Sequence, residues 1–304
     1  MKFFLAFLTC FQMLSLGCVT TSDSETIALQ RPFELQFTFL GDDTAIVIPV
    51  VFGTNITRNM IFDSGAGLEI LSSELADSLG LNADKQYVGR RLTGEEFPIL
   101  VGKLDSAAIG PLNKIGLHAA AHEYFNGLGK KENVHGLISL NFFKDQVVTI
   151  DYPSKKLIIE TLDSLKEREK AGVSIPLKSE RMIPVSFTTQ IDLLVAGQTQ
   201  LAMVDIGSAS SKLPMKFFDV LGLQSSDPKI RKKTYKTMAG IATTTYYAKV
   251  PGQISIGASN DFRNGDDEVG FDSNFRMGSI GGNFFLDKIV TFDLKQMRLI
   301  LAKY

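Results

Sequence analysis

The chain has 304 residues, 44% hydrophobic and 21% charged, with a net charge of −1 at pH 7. That is enough for about two domains of roughly 100–200 residues each. A near-neutral chain with no run of Lys and Arg gives no reason to expect a nucleic-acid partner, because phosphate binding needs a basic surplus.

In chain order, Lys2 precedes an apolar stretch over 3–16 that ends in Gly17-Cys18. A charged start, a short apolar core and small residues at the end read as a secretory signal over 1–18. The stretch is too short for a comfortable membrane span. Leu14-Ser15-Leu16-Gly17-Cys18 resembles a bacterial lipobox, which makes Cys18 the expected lipidation site. The chain is then expected on the periplasmic side of a bacterial envelope, touching membrane only through its lipid, with plain secretion as the alternative. Cys10 and Cys18 are the only cysteines. Cys10 would leave with the signal, so the folded body holds neither an internal disulfide nor a thiol nucleophile. Residues 19–31 are polar and suit a tether.

The body starts at 32 and reads as strands. Segments 47–51 and 59–62 are short, apolar and β-branched around Gly53-Thr54-Asn55, a hairpin signal. Asp63-Ser64-Gly65 follows, then a helix over 72–79 that stops before Gly80, where a left-handed cap favours glycine. Segments 147–151 and 156–159 flank the turn Tyr152-Pro153-Ser154. The charged stretch 161–172 has helical spacing and reads as a connector. The second half repeats the first: a strand into Asp205-Ile206-Gly207, a helix over 214–221 before Gly222, and strands 289–293 and 298–301.

The repeat has an offset of 142 residues. Asp63 maps to Asp205, Leu79-Gly80-Leu81 to Leu221-Gly222-Leu223, and Gly136 to Gly278. Asn141-Phe142-Phe143 maps to Asn283-Phe284-Phe285, and Leu157 to Leu299. A domain-sized period with two copies predicts an all-β fold of two pseudo-twofold-related lobes, each with one short helix, at 32–160 and 173–304. A twofold would bring the two Asp-x-Gly loops face to face. Facing carboxyls cannot both ionise, so they share a proton; one takes a proton from a water while the other donates to a carbonyl.

These residues resemble the aspartic peptidases, in particular their retropepsin-like bacterial branch. Phe62-Asp63-Ser64-Gly65-Ala66, with Leu79-Gly80-Leu81 behind it, looks like that branch's signature and trailing helix. The stretches 135–143 and 277–285 look like its apolar-apolar-Gly element. The resemblance implies β-barrel lobes with Asp63 and Asp205 catalytic, supported by Ser64, Gly65 and Gly207. It implies a glycine-tipped flap on each lobe, with Gly94 and Gly240 as tips. It also implies a peptide or protein substrate bound as an extended strand, no cofactor, no metal, and a monomer that is an intramolecular pseudo-dimer. Three departures stand out. Ile206 replaces the hydroxyl that in the family reaches across to the opposite loop, Ser139 replaces a glycine, and Ser279 replaces an apolar residue. Ser208 is positioned to compensate by bonding the Asp205 carboxyl.

The activity expected is endopeptidase. The alternatives are a catalytically weak or inactive peptide-binding envelope lipoprotein of the same fold, and a structural envelope protein. His118 and His122 have helical ligand spacing, but they follow a predicted strand and lack a third ligand. His135 reads as a packing or solvated residue. The acidic stretch 261–272 lacks the ligand pattern of a calcium loop and reads as solvated.

Overall fold

The computed structural model describes residues 29–41, 44–236, 242–257 and 262–304. The expected signal, Cys18, most of the tether, Gly240 and Asp261 lie outside the described residues.

The repeat is laid out around one central sheet. Its six antiparallel strands run in the order Phe33–Gln36, Lys156–Ile159, Val147–Asp151, Lys288–Asp293, Arg298–Lys303, Val173–Pro176. Three come from each half of the chain. At its middle, Thr149 lies opposite Thr291, and their hydroxyls bond at 2.7 Å. Residues that differ by the repeat offset therefore pair with each other, which places the pseudo-twofold axis between them. Both threonines are buried, so the hydroxyl pair satisfies two polar groups that water cannot reach.

Each half then builds its own sheet. The N-terminal one has eight strands and the C-terminal one ten. Both contain the same irregularity, a parallel pairing within a mostly antiparallel sheet. Ile56–Phe62 runs parallel to Val134–Ile138, and Gln198–Asp205 runs parallel to Gly278–Gly281. Each Asp sits at the end of the first strand of such a pair. The peptide N–H of Asp63 donates to Ile138 O at 2.9 Å, and Asp205 stands opposite Gly281.

The core explains the short apolar runs. Ile46, Ile48, Val50, Phe52, Met60 and Phe62 alternate into the N-terminal lobe and are fully buried. Phe142 and Phe143 meet their repeat equivalents Phe284 and Phe285 in one continuous hydrophobic cluster that crosses both lobes. Each large side chain so buried contributes about 1.5–3 kcal/mol, so separating the lobes would expose much of what holds them.

Both expected helices form. Ser73–Ser78 is capped by Ser72, whose hydroxyl accepts from Leu75 N at 3.1 Å, and it ends ahead of Gly80 at φ +63°. Lys216–Val220 ends ahead of Gly222 at φ +68°. The connector is the helix Leu162–Ala171, started by a Thr161–Ser164 capping box. The N-terminal lobe adds a helix that the sequence reading lacks, Tyr124–Glu132, closed by Asn133 at φ +54°. Among its residues only Phe125 is buried, and it contains Gly127 and Gly129. It therefore shows no apolar stripe by which to find it.

The acidic stretch 261–272 needs correction. Phe262–Arg263 and Glu268–Asp272 are strands, and Asp272 is fully buried rather than solvated. Its carboxyl accepts from Thr245 Oγ1 at 2.7 Å, Asn274 N at 2.9 Å and Thr243 Oγ1 at 3.3 Å. Those donors supply what burial takes away.

Candidate active site

A cleft of about 990 Å³ runs between the lobes, with Asp63 and Asp205 on its floor and the Gly94 turn over it. The strand Ile56–Phe62 is anchored in the core, so the Asp that follows is rigidly placed. The tight turn then leaves the chain beside the opposite carboxyl. A Cβ on Gly65 would stand 2.5 Å from Asp205 Oδ1, and one on Gly207 would stand 2.2 Å from Asp63 Cγ. Only glycine fits at either place, because side-chain carbon does not approach so closely. The approach is reciprocal, and the two carboxyl groups lie close enough for each to shift the other's titration.

Their surroundings differ. Asp63 Oδ1 accepts from Gly65 N at 2.8 Å and Ala66 N at 3.2 Å, and the Gly207 backbone lies against the same carboxyl. Asp205 Oδ2 receives the Ser279 hydroxyl at 3.4 Å, a long bond. Burial raises both acids above the usual carboxylate range. For Asp63, peptide N–H bonds oppose that rise. For Asp205, the charge of Asp63 adds to it and Lys212 only partly offsets it, leaving the acid at about 7. Donors to a carboxylate favour its ionised form. The closer donors at Asp63 favour its ionised form, and the sparser ones at Asp205 favour the proton there.

The two loops also grip each other through one arm. Ser64 is fully buried; its hydroxyl donates to Val204 O at 2.7 Å and accepts from Ile206 N at 2.9 Å. One hydroxyl thus satisfies two backbone groups of the opposite lobe. Ile206, its repeat equivalent, is fully buried in the hydrophobic cluster. The second arm is replaced by apolar packing of a similar order, about 1.5–3 kcal/mol against about 0.5–1.5 kcal/mol per hydrogen bond. Outside the grip, Gly67 O accepts from Phe187 N at 2.8 Å and Asn141 Nδ2 at 2.7 Å. Thr44 Oγ1 donates to Ala209 O at 3.3 Å on the matching side.

Ser208 requires correction as a support of Asp205. Its hydroxyl donates to Ser210 O at 3.1 Å within its own loop. Ser279, on the neighbouring parallel strand, reaches the carboxyl instead. The Gly94 tip has φ +82°, and its N–H donates to Arg91 O at 2.8 Å, closing the turn between Lys85–Arg90 and Glu96–Ile109. The matching hairpin Arg231–Lys236 and Ala242–Lys249 brings Tyr235 to the cleft. His118 lies in the strand Leu112–Ala121, and His122 Nδ1 accepts from Tyr124 N at 3.1 Å. His135 bonds Asn133 at 3.2 Å. None of the three histidines lines the cleft.

A third acid was not anticipated. Glu69 is fully buried behind the Asp63 loop, where Ser139 Oγ donates to its Oε1 at 3.0 Å and its Oε2 has no hydrogen-bond partner among the described residues. Burial pushes it up to about 7. The repeat offset places Ser211 at the equivalent position, with its hydroxyl accepting from Gly281 N at 3.1 Å. Ser139 stands where the second copy has Gly281, so the two departures of the first copy, Glu69 and Ser139, form one hydrogen-bonded pair.

The family described as aspartyl protease matches residues 48–142. No protein with a curated description matches the sequence. Among solved structures, basic 7S globulin from soybean is similar at a TM-score of 0.54 and 11% identity, over 90% of this chain and 95% of that one. Conglutin gamma, a basic 7S globulin from lupine seeds, has a TM-score of 0.52 at the same identity and coverage. A structure titled edgp gives 0.51, again at 11% identity and the same coverage. The chain has the pepsin-like fold these structures share, and its segment 48–142, which contains the Asp63 loop, is similar to the aspartyl protease family.

Proposed function

We propose that this chain is an aspartic endopeptidase that needs no second copy, with Asp63 and Asp205 as its catalytic pair. One observation carries the reading. Two carboxyls lie on the floor of an interlobe cleft, each against the glycine of the other's loop. A water held between them gives its proton to Asp63 as its oxygen attacks the peptide carbonyl carbon. Asp205 gives its proton to the carbonyl oxygen, producing a neutral tetrahedral diol. Asp63 then returns a proton to the amide nitrogen as the C–N bond breaks, and Asp205 recovers its own from the diol. Hydrolysis passes through no covalent intermediate. An extended peptide would lie under the Gly94 turn and add strand-like hydrogen bonds.

The test is cleavage of a peptide library between acidic and neutral pH. Wild type is expected to cut, and Asp63→Asn and Asp205→Asn are each expected not to. An inert wild type across that range would overturn the peptidase reading. Full activity in Asp205→Asn would overturn the shared pair even if cleavage survived.

A second reading, peptide capture without turnover, is favoured by the single-armed grip at Ser64 and Ile206. The same assay separates the two readings. The site of action we propose is the outer side of the cytoplasmic membrane, with Cys18 carrying the lipid. Palmitate labelling lost in Cys18→Ala supports the anchor, and no Cys18-dependent label contradicts it.

A further inference from the structure

We propose that the cleft selects substrates carrying an acidic side chain on one side of the scissile bond, bound by Lys212, and an apolar one at the mirror position, bound by Ile70. The proposal rests on the peptidase reading for its register, because the scissile bond is placed by the Asp63–Asp205 pair.

Ile70 and Lys212 are equivalent positions. Each stands seven residues after its Asp, and the two are 142 apart. Each lies in a short strand, Glu69–Leu71 or Lys212–Pro214, that pairs antiparallel with Val134–Ile138 or Gly278–Gly281 respectively. Ile70 stands opposite Leu137, and Lys212 stands opposite Ser279, itself the equivalent of Leu137. Both Ile70 and Lys212 line the cleft. A twofold through the carboxyl pair therefore sets them at matching distances on either side of the bond to be cut. The fold is symmetric here and the chemistry is not. One wall is apolar, and the other carries an ammonium beside a hydroxyl.

The ammonium is held in place. Its stem passes over Gly270, where a Cβ would meet Lys212 Cγ at 3.2 Å, and Nζ stands 5.6 Å from the centre of the Phe275 ring. Lys212 is half-buried and makes no ion pair among the described residues. The other cations near it in the cleft differ. Arg90 pairs with Glu96 and Arg91 with Glu95, both on the flap, and Arg276 is exposed. Of the cleft acids, Glu180 is engaged by Gln190 Nε2. Lys212 favours the ionised form of the neighbouring Asp205 by its charge, but forms no ion pair with it. A half-buried ammonium that lines a substrate groove and makes no ion pair among the described residues fits a carboxylate.

The experiment compares matched peptides with Glu, Gln or Lys at the position flanking the cut, using the full chain at about pH 6. Wild type is expected to prefer Glu over Gln by about 10- to 100-fold in kcat/KM, the range for a hydrogen bond to a charged group. The preference should appear at one position, with an apolar preference at its mirror. Lys212→Ile, which copies the first lobe, is expected to bring the Glu/Gln ratio near one. Lys212→Glu is expected to favour Lys. The same ratio is to be read as Kd for uncleavable Glu and Gln peptide analogues on Asp63→Asn, so loss of turnover leaves the test intact. An absence of Glu preference in both readouts, or a ratio unmoved by Lys212→Ile, overturns the proposal. A pH profile that shifts in Lys212→Ile while the ratio stays fixed also overturns it, because Lys212 would then act on Asp205 alone. A Kd ratio that holds while wild type cuts nothing would sink the peptidase reading and keep Lys212 as the selector of a binding cleft.

Discussion

The Asp63 loop surrounds its carboxyl with the peptide N–H groups of Gly65 and Ala66, whereas the Asp205 carboxyl receives one distant hydroxyl, that of Ser279 on the neighbouring strand. The Asp63 side also supplies the interlobe hydroxyl, at Ser64, where the other side supplies a buried Ile206. The backbone keeps the twofold closely enough that Thr149 faces Thr291 and each glycine abuts the opposite acid. The lesson is that symmetry places the two acids and asymmetry divides their labour. Equal surroundings would leave the proton shared evenly; unequal ones favour Asp63 as the anion and Asp205 as the acid.

The largest expected effect comes from removing either side of the comparison. Asp63→Asn and Asp205→Asn should each lower peptide cleavage by at least about 10³-fold, since each acid carries a separate proton transfer. Cleavage rates on one peptide check this, and a large gap between the two variants would break the shared mechanism. The two Asn variants should also fold as wild type by circular dichroism.

The next effect separates the lobes by pH. Glu69 is raised from 4.5 to about 7 by burial, and its equivalent in the second lobe is the uncharged Ser211. A carboxyl with a raised folded pKa binds more protons folded than unfolded. Its contribution is therefore most favourable in acid and is lost as pH rises from about 4.5 to about 7. The loss is about 3 kcal/mol, at ~1.4 kcal/mol per pH unit. Glu69→Gln should match wild type in urea unfolding at pH 4 and exceed it by up to about 3 kcal/mol at pH 8. Equal stabilities at pH 8 would show that Glu69 is not buried as described.

The grip gives smaller effects. Ser64→Ala should cost about 1–3 kcal/mol, because Val204 O and Ile206 N lose their buried partner. Ile206→Thr should stay within about 1 kcal/mol of wild type, exchanging buried carbon for a second arm. In a double-mutant cycle, the cost of Ser64→Ala should fall when Thr stands at 206. Strict additivity would show that the two arms do not act as one unit.

Much of this was legible in the sequence, because the offset of 142 carries both fold and floor of the site. The hairpins, both capped helices, Ser64, Gly65, Gly207 and the Gly94 tip follow from motif and repeat together. What was not legible depends on neighbours that only the folded chain supplies. Ser208 lies near Asp205 in sequence, but its hydroxyl is taken by Ser210 O, while Ser279 arrives from the adjacent strand. The helix Tyr124–Glu132 buries too little to leave a pattern. Glu69 and Lys212 were readable in principle, as charged breaks in the repeat against Ser211 and Ile70. The repeat points to them only when its mismatches are weighed as heavily as its matches.

The division of labour between the acids is most directly tested by carbon-13 NMR titration of the Asp63 and Asp205 carboxyls, assigned with the two Asp→Asn variants. The account predicts coupled titrations, with Asp63 losing its proton first and Asp205 holding its own to about pH 7. Two independent titrations near the ordinary aspartate value of about 4, or the reverse order of proton loss, would contradict it.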